Sequence, residues 1–91
     1  MIKSFKDKEA EKIYDGLRSA ELPGNIQDTA RRRLKYLNNA VNLEDLRIPP
    51  SNQLEASNGR PGVYRIRINI QWRITFTWND GAENVGIEDY H

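Results

Sequence analysis

An α+β fold, with two helices packed on one face of a small, mainly antiparallel sheet in the order β-α-α-β-β-β, is predicted by three features of the chain. Residues 62–78 alternate apolar and polar side chains in two runs separated by a short turn. Two upstream stretches repeat apolar residues at helical spacing. The 91 residues, 37% of them apolar, can bury one modest core and not two, so residues 1–91 read as one domain.

Residues 2–5 suit a short strand, and Asp7 suits the N-cap of a first helix with Glu9 and Glu11 in its positive first turn. Ala10, Ile13, Tyr14 and Leu17 then fall at i, i+3, i+4 and i+7, the stripe of an amphipathic helix of about three turns. Pro23-Gly24 interrupts the pattern. Asn25 followed by Asp28 resembles a capping box with aspartate in place of glutamate. Ile26, Ala30, Leu34, Leu37 and Val41 form the stripe of a second helix, which also carries Arg31, Arg32, Arg33 and Lys35. That basic run reads as a solvated face with long stems over apolar surface, or as a contact for RNA or an acidic partner. Leu43–Leu46 can add one helical turn.

Residues 47–63 hold three prolines and two glycines and show no sustained period, which predicts a long loop. Because it leads into the arginine-bearing strand it is expected to wall a site, with Leu54 anchoring it to the core. In the hairpin that follows, Tyr64, Ile66 and Ile68 alternate with Arg65, Arg67 and Asn69, and Trp72, Ile74, Phe76 and Trp78 alternate with Arg73, Thr75 and Thr77. One face is therefore apolar and the other basic. Keeping Ile68 and Trp72 on the same face requires a three-residue loop at Asn69, Ile70 and Gln71, and this sets Arg67 opposite Arg73. Like charges so placed cost about 0.2–1 kcal/mol. Such a pair either holds an anion or disperses its charge into water or onto carboxylates.

Asn79-Asp80-Gly81 signals a turn, and Val85 and Ile87 supply the inward residues of a last strand. A four-residue loop pairs Trp78 with Glu83 and sets Arg73 across from Glu88. An internal Arg73–Glu88 ion pair thus competes with an anion site.

The net charge of +1 conceals segregation, since residues 60–78 carry Arg60, Arg65, Arg67 and Arg73 and no acid, whereas residues 79–91 carry Asp80, Glu83, Glu88 and Asp89. A local basic patch beside acids favours a specific polyanion site over general adhesion to nucleic acid. The absence of cysteine removes disulfides and thiol chemistry. With no apolar leader at the start and no run of membrane-spanning length, the sequence predicts a cytoplasmic protein without membrane contact.

One histidine and no cysteine give no zinc site, the carboxylates form no calcium loop, and there is no glycine-rich phosphate loop. No metal or cofactor is expected. Arginines, a tyrosine, a histidine and carboxylates suit cleavage of RNA, which carries its own nucleophile. A base must deprotonate the 2′-hydroxyl, cations must stabilise the phosphorane, and an acid must protonate the 5′-oxygen. Tyr90 and His91 are candidates for these steps, against the plainer readings of a packing tyrosine and a terminal histidine. Strand parity puts Glu88 and Tyr90 on one face and Asp89 and His91 on the other, so both Tyr90 and His91 serve one site only if the terminus bends.

Arg47-Ile-Pro-Pro, Asn52-Gln-Leu-Glu55, Tyr64-Arg-Ile-Arg-Ile-Asn, Gln71-Trp-Arg-Ile-Thr-Phe76 and the closing Asp89-Tyr-His together resemble the HigB (host inhibition of growth) toxins of the RelE-like superfamily. The resemblance spans the chain and is densest from residue 47. It implies a RelE-like microbial RNase fold and a toxin of a type II toxin–antitoxin pair that cleaves mRNA in the ribosomal A site without metal. It also implies a helix-turn-helix antitoxin as partner, with operator DNA bound only through that antitoxin. Carried over by position, Arg67 and Arg73 would hold the scissile phosphate and Arg65 or Arg60 the neighbouring RNA. Tyr90 and His91 would transfer protons or stack on a base, with Asp89 orienting them. Some members have a histidine and a lysine before the arginine strand, where this chain reads Leu54-Glu-Ala-Ser-Asn-Gly59. Glu55 is then a conceivable base, although an acid beside phosphate repels substrate and a structural role suits it better. The alternative reading is an RNA- or ribosome-binding homologue with little or no chemistry, acting mainly with its antitoxin as operon co-regulator.

Overall fold

In a computed structural model describing residues 1–90, two α-helices cover one face of a four-stranded sheet. Helix α1 (Lys8–Tyr14) starts where expected, with the Asp7 carboxylate accepting a hydrogen bond from Ala10 N at 2.6 Å. It stops a turn early. Gly16, at φ +88°, donates its N–H to Ile13 O and Leu17 donates to Lys12 O, the paired bonds of a Schellman end. Leu17, expected in the buried stripe, lies beyond this end and is exposed.

Helix α2 (Gly24–Asn39) buries Ile26, Ala30, Leu34 and Leu37 as its spacing predicts. The capping box expected at Asn25 and Asp28 does not form, because Pro23 takes the N-cap position and Asn25 is already inside the first turn. The buried Gln27 secures the entry instead, accepting from Ser19 N and donating to Ser19 O and Leu22 O. Val41 is exposed because Ala40 turns to extended backbone and ends the helix. A capping box is found one element later, at Asn42 and Asp45, opening the expected helical turn at Leu43–Arg47.

The stretch 47–63 is not a bare loop. A 3-10 turn at Pro50–Asn52 leads into strand β1 (Glu55–Ala56), which pairs antiparallel with β2 (Val63–Arg67). Leu54 packs against the core, as its position suggests. With β3 (Trp72–Trp78) and β4 (Ala82–Asp89) the order is β1-β2-β3-β4, antiparallel throughout. Residues 2–5, expected as a strand, make only two isolated parallel bridges, Ile2 to Ala82 and Phe5 to Val85, beside β4. The chain then leaves the edge to cap α1. Lys6 and Asp7 cross β4 over Gly86, where a Cβ would collide with both.

The β2–β3 register is the one the parity of Ile68 and Trp72 demands, with Arg67 opposite Arg73 and Ile68 N donating to Trp72 O at 2.9 Å. Asn69 closes the turn by accepting from Gln71 N and Trp72 N, both at 2.8 Å. The next hairpin differs from expectation. Trp78 pairs with Ala82, not Glu83, and a bulge in β4, with Asn84 left-handed at φ 54°, restores Arg73 opposite Glu88. Ile66, Ile74, Phe76 and Val85 meet the helices in the core, and Phe76 stacks on Tyr64 with ring centroids 6.1 Å apart. Among the described residues, no helix is long and apolar enough to cross a membrane.

Candidate RNA-binding site

The face of the sheet turned from the helices carries Arg65, Arg67, Arg73, Thr75 and Glu88. It is less open than alternation suggests, because Tyr90 folds across it. The Arg73 Cζ lies 4.4 Å from the Tyr90 ring centroid and the Arg65 Cζ 4.6 Å, so two guanidinium groups flank one phenol ring. Arg65 also donates from Nη2 to the Tyr90 hydroxyl at 3.2 Å and to Glu55 Oε2 at 3.0 Å, and only 8% of it is exposed. Tyr90 N donates to Gln71 O at 2.5 Å, and Gln71 Nε2 donates to Asp89 Oδ2 at 3.0 Å. These bonds pin the end of β4 to the hairpin turn.

Arg73 forms no ion pair with a carboxylate among the described residues. Its Nη1 donates to the Asn69 and Trp72 carbonyls. Burial, and then the neighbouring Arg67, push its pKa below the usual arginine value. The Arg73–Glu88 ion pair suggested by register does not form, because other groups take Glu88. Arg60 donates to both its oxygens at 2.8 and 3.2 Å, Thr75 Oγ1 donates at 2.7 Å, and Lys6 completes the set. Arg60, Arg65, Arg73, Thr75, Glu88, Asp89 and Tyr90, with Ser57 and Asn58, line a shallow cavity of about 200 Å³. Arg67 turns away from it towards Arg33 and lines a different cavity. His91 lies outside the described residues.

The Arg60 hydrogen bonds hold the Glu88 carboxyl down at about 2, against burial, which acts to raise it; Lys6 and Thr75 assist Arg60. A carboxyl whose folded pKa is depressed adds stability above its ordinary value of 4.5, and that stability is lost as pH falls towards about 2. Replacing Glu88 with glutamine is therefore expected to lower the melting temperature by a few degrees at neutral pH. The difference from the parent protein should close on acidification through that window, as thermal denaturation followed by circular dichroism at a series of pH values will show.

A family model described as "RelE-like toxin of type II toxin-antitoxin system HigB" matches residues 3–91. The chain belongs to this HigB-like toxin family. It is 41% identical over 84 residues to "Toxin HigB-1" of Vibrio cholerae, covering 90% of this chain and 88% of that one. It is 29% identical over 92 residues to "Endoribonuclease HigB" of Proteus vulgaris, over the whole of both chains. An uncharacterized protein of Haemophilus influenzae is also 29% identical, over 82 residues, 88% of this chain and 81% of that one. Membership of a type II toxin family implies an antitoxin partner for this HigB-like chain.

The hairpin parity of this HigB-like toxin correctly put Arg65 and Arg73 on one face with Tyr90. The clamp of Glu55 on Arg65 was hidden, because β1 is two residues long inside a stretch rich in proline and glycine. Arg33 was hidden too: nothing in its spacing separates it from Arg32, and only the fold brings Asn52 to it.

Proposed function

We propose that this toxin is a ribosome-dependent mRNA endonuclease. The observation that carries the reading is Arg73: a guanidinium stacked on Tyr90 in an open cavity, with no ion pair to a carboxylate among the described residues. Arginine holds phosphate oxygens bidentately and keeps its charge. In the proposed reaction a base takes the proton of a 2′-hydroxyl and the oxygen attacks the adjacent phosphorus. The P–O5′ bond breaks as an acid protonates the 5′-oxygen, leaving a 2′,3′-cyclic phosphate. Arg73 stabilises the phosphorane and no metal ion takes part. Tyr90 and His91 are the proposed proton-transfer or base-stacking residues, and Asp89 orients them through the pinned end of β4. Arg65 acts through Tyr90, whose hydroxyl it holds, and Arg60 and Arg67 hold flanking RNA. A helix-turn-helix antitoxin is the proposed partner, and operator DNA is reached only through it.

The presence of Glu88 and Asp89 in the cavity wall favours one other reading, occupancy of the ribosome without cleavage, because acids weaken phosphate binding. Mapping 5′ ends of one translated message after brief induction separates the two. Cuts inside codons that vanish when the start codon is disrupted are expected. Intact message with inhibited translation would establish occlusion, and cuts that persist without translation would mean a free ribonuclease.

A further inference from the structure

A second cavity, of about 310 Å³, lies where α2, the 3-10 turn at Pro50–Asn52 and the end of β2 meet; it is lined by Arg33, Ser51, Gln53, Arg67, Ile68 and Asn69. Unlike the cavity at Tyr90, it has no acidic side chain in its wall. Its two cations are prepared differently. Arg67 has no ion pair or hydrogen bond to any described side chain. Arg33 is held in place, donating from Nη1 to Ser51 Oγ at 3.2 Å and to Asn52 Oδ1 at 2.9 Å, and Asn52 is fully buried and donates in turn to Leu46 O. The Arg33 Nε is buried with no hydrogen-bond partner among the described residues. Burial, then Arg32, and among the remaining charges Arg67, depress the Arg33 pKa, so two like charges are kept together without an acid. An anion in the cavity would relieve the repulsion and accept from the Arg67 guanidinium.

Position supplies the link to the Tyr90 cavity. Arg67 and Arg73 are cross-strand partners, so one pair of neighbours reaches into both cavities. Gln53, left-handed at φ 46°, shapes the second wall at a cost no glycine would incur.

We propose that the Arg33–Arg67 cavity is a second phosphate subsite, which takes a backbone phosphate of the same single RNA strand whose scissile phosphate enters the Tyr90 cavity. The inference rests on the preceding reading that RNA binds at Tyr90. Arg67 then serves a flanking phosphate, not the scissile one, and Arg33 is a binding residue.

The test is to follow the arginine Nε–Hε resonances of the whole protein during titration with a 2′-deoxy single strand of about five nucleotides, which makes phosphate contacts but lacks the nucleophile. Arg33 and Arg67 are expected to shift and to saturate in step with Arg73. Arg67→Gln, at a side chain with no hydrogen bond or ion pair among the described residues, should weaken oligonucleotide binding about three- to tenfold and reduce the salt slope by about 0.7. Shifts of Arg73 with Arg33 stationary would overturn the second subsite and leave the RNA reading intact. A shift of Arg33 with inorganic phosphate but not with the oligonucleotide would overturn its assignment to the bound strand. Silence of all three arginines with both probes would overturn the subsite, while message mapping would still decide the RNA reading by itself.

Discussion

Replacing Arg73 by alanine should reduce cleavage of a translated message by about 10²–10³-fold, the usual cost of removing one group that stabilises transition-state charge. The fold should survive. The Arg73 guanidinium contacts a ring face and two turn carbonyls and forms no ion pair with a carboxylate among the described residues, so the melting temperature should move by no more than about 4 °C. Arg73→Lys should recover only part of the activity, because an ammonium cannot lie flat on Tyr90 while presenting a planar fork to phosphate. Single-turnover cleavage on programmed ribosomes, beside a thermal melt of each variant, reads both quantities. Undiminished cleavage by a folded Arg73→Ala protein would remove this residue from the reaction.

Phe76→Ala should have the largest effect on the folded state. The side chain is 1% exposed and lies between Tyr64 and Trp78 at centroid distances of 6.1 and 6.5 Å. Truncation of such a ring costs about 3–5 kcal/mol, against about 5–15 kcal/mol for a whole small domain. The melting temperature should fall by more than about 12 °C in urea-free buffer. Phe76 faces the helices and Arg73 the opposite side, so the two variants lose activity for different reasons, and circular dichroism separates them. A small change in melting temperature on Phe76→Ala would mean that the core closes around the lost ring.

Much of this arrangement is legible in the sequence, for identifiable reasons. The Ile68–Trp72 parity fixes the first hairpin because a one-residue slip would turn every isoleucine to solvent. Asp7 is legible as a cap because an acid preceding a periodic stretch has one obvious use. The second hairpin departs from expectation at Trp78 because its bulge depends on Asn84 accepting a left-handed conformation, which nothing in the alternation announces. The early end of α1 was signalled by Gly16, but Leu17 continued the apolar period past it. The clustering of Arg60, Lys6 and Thr75 on Glu88 joins residues from opposite ends of the chain, and no local pattern encodes it.

The parallel bridges from Ile2 and Phe5 to β4 bear on the order of folding. Lys3 N donates to Ala82 O and Lys6 N to Val85 O, so these backbone groups are paired only when segments nearly eighty residues apart have met. Contacts of such long sequence separation form late and slow folding. Tyr90 and Asp89, which close the cavity beside Arg73, arrive on the same strand. Docking of β4 is thus the step that both pairs the edge with residues 2–6 and completes the cavity beside Arg73.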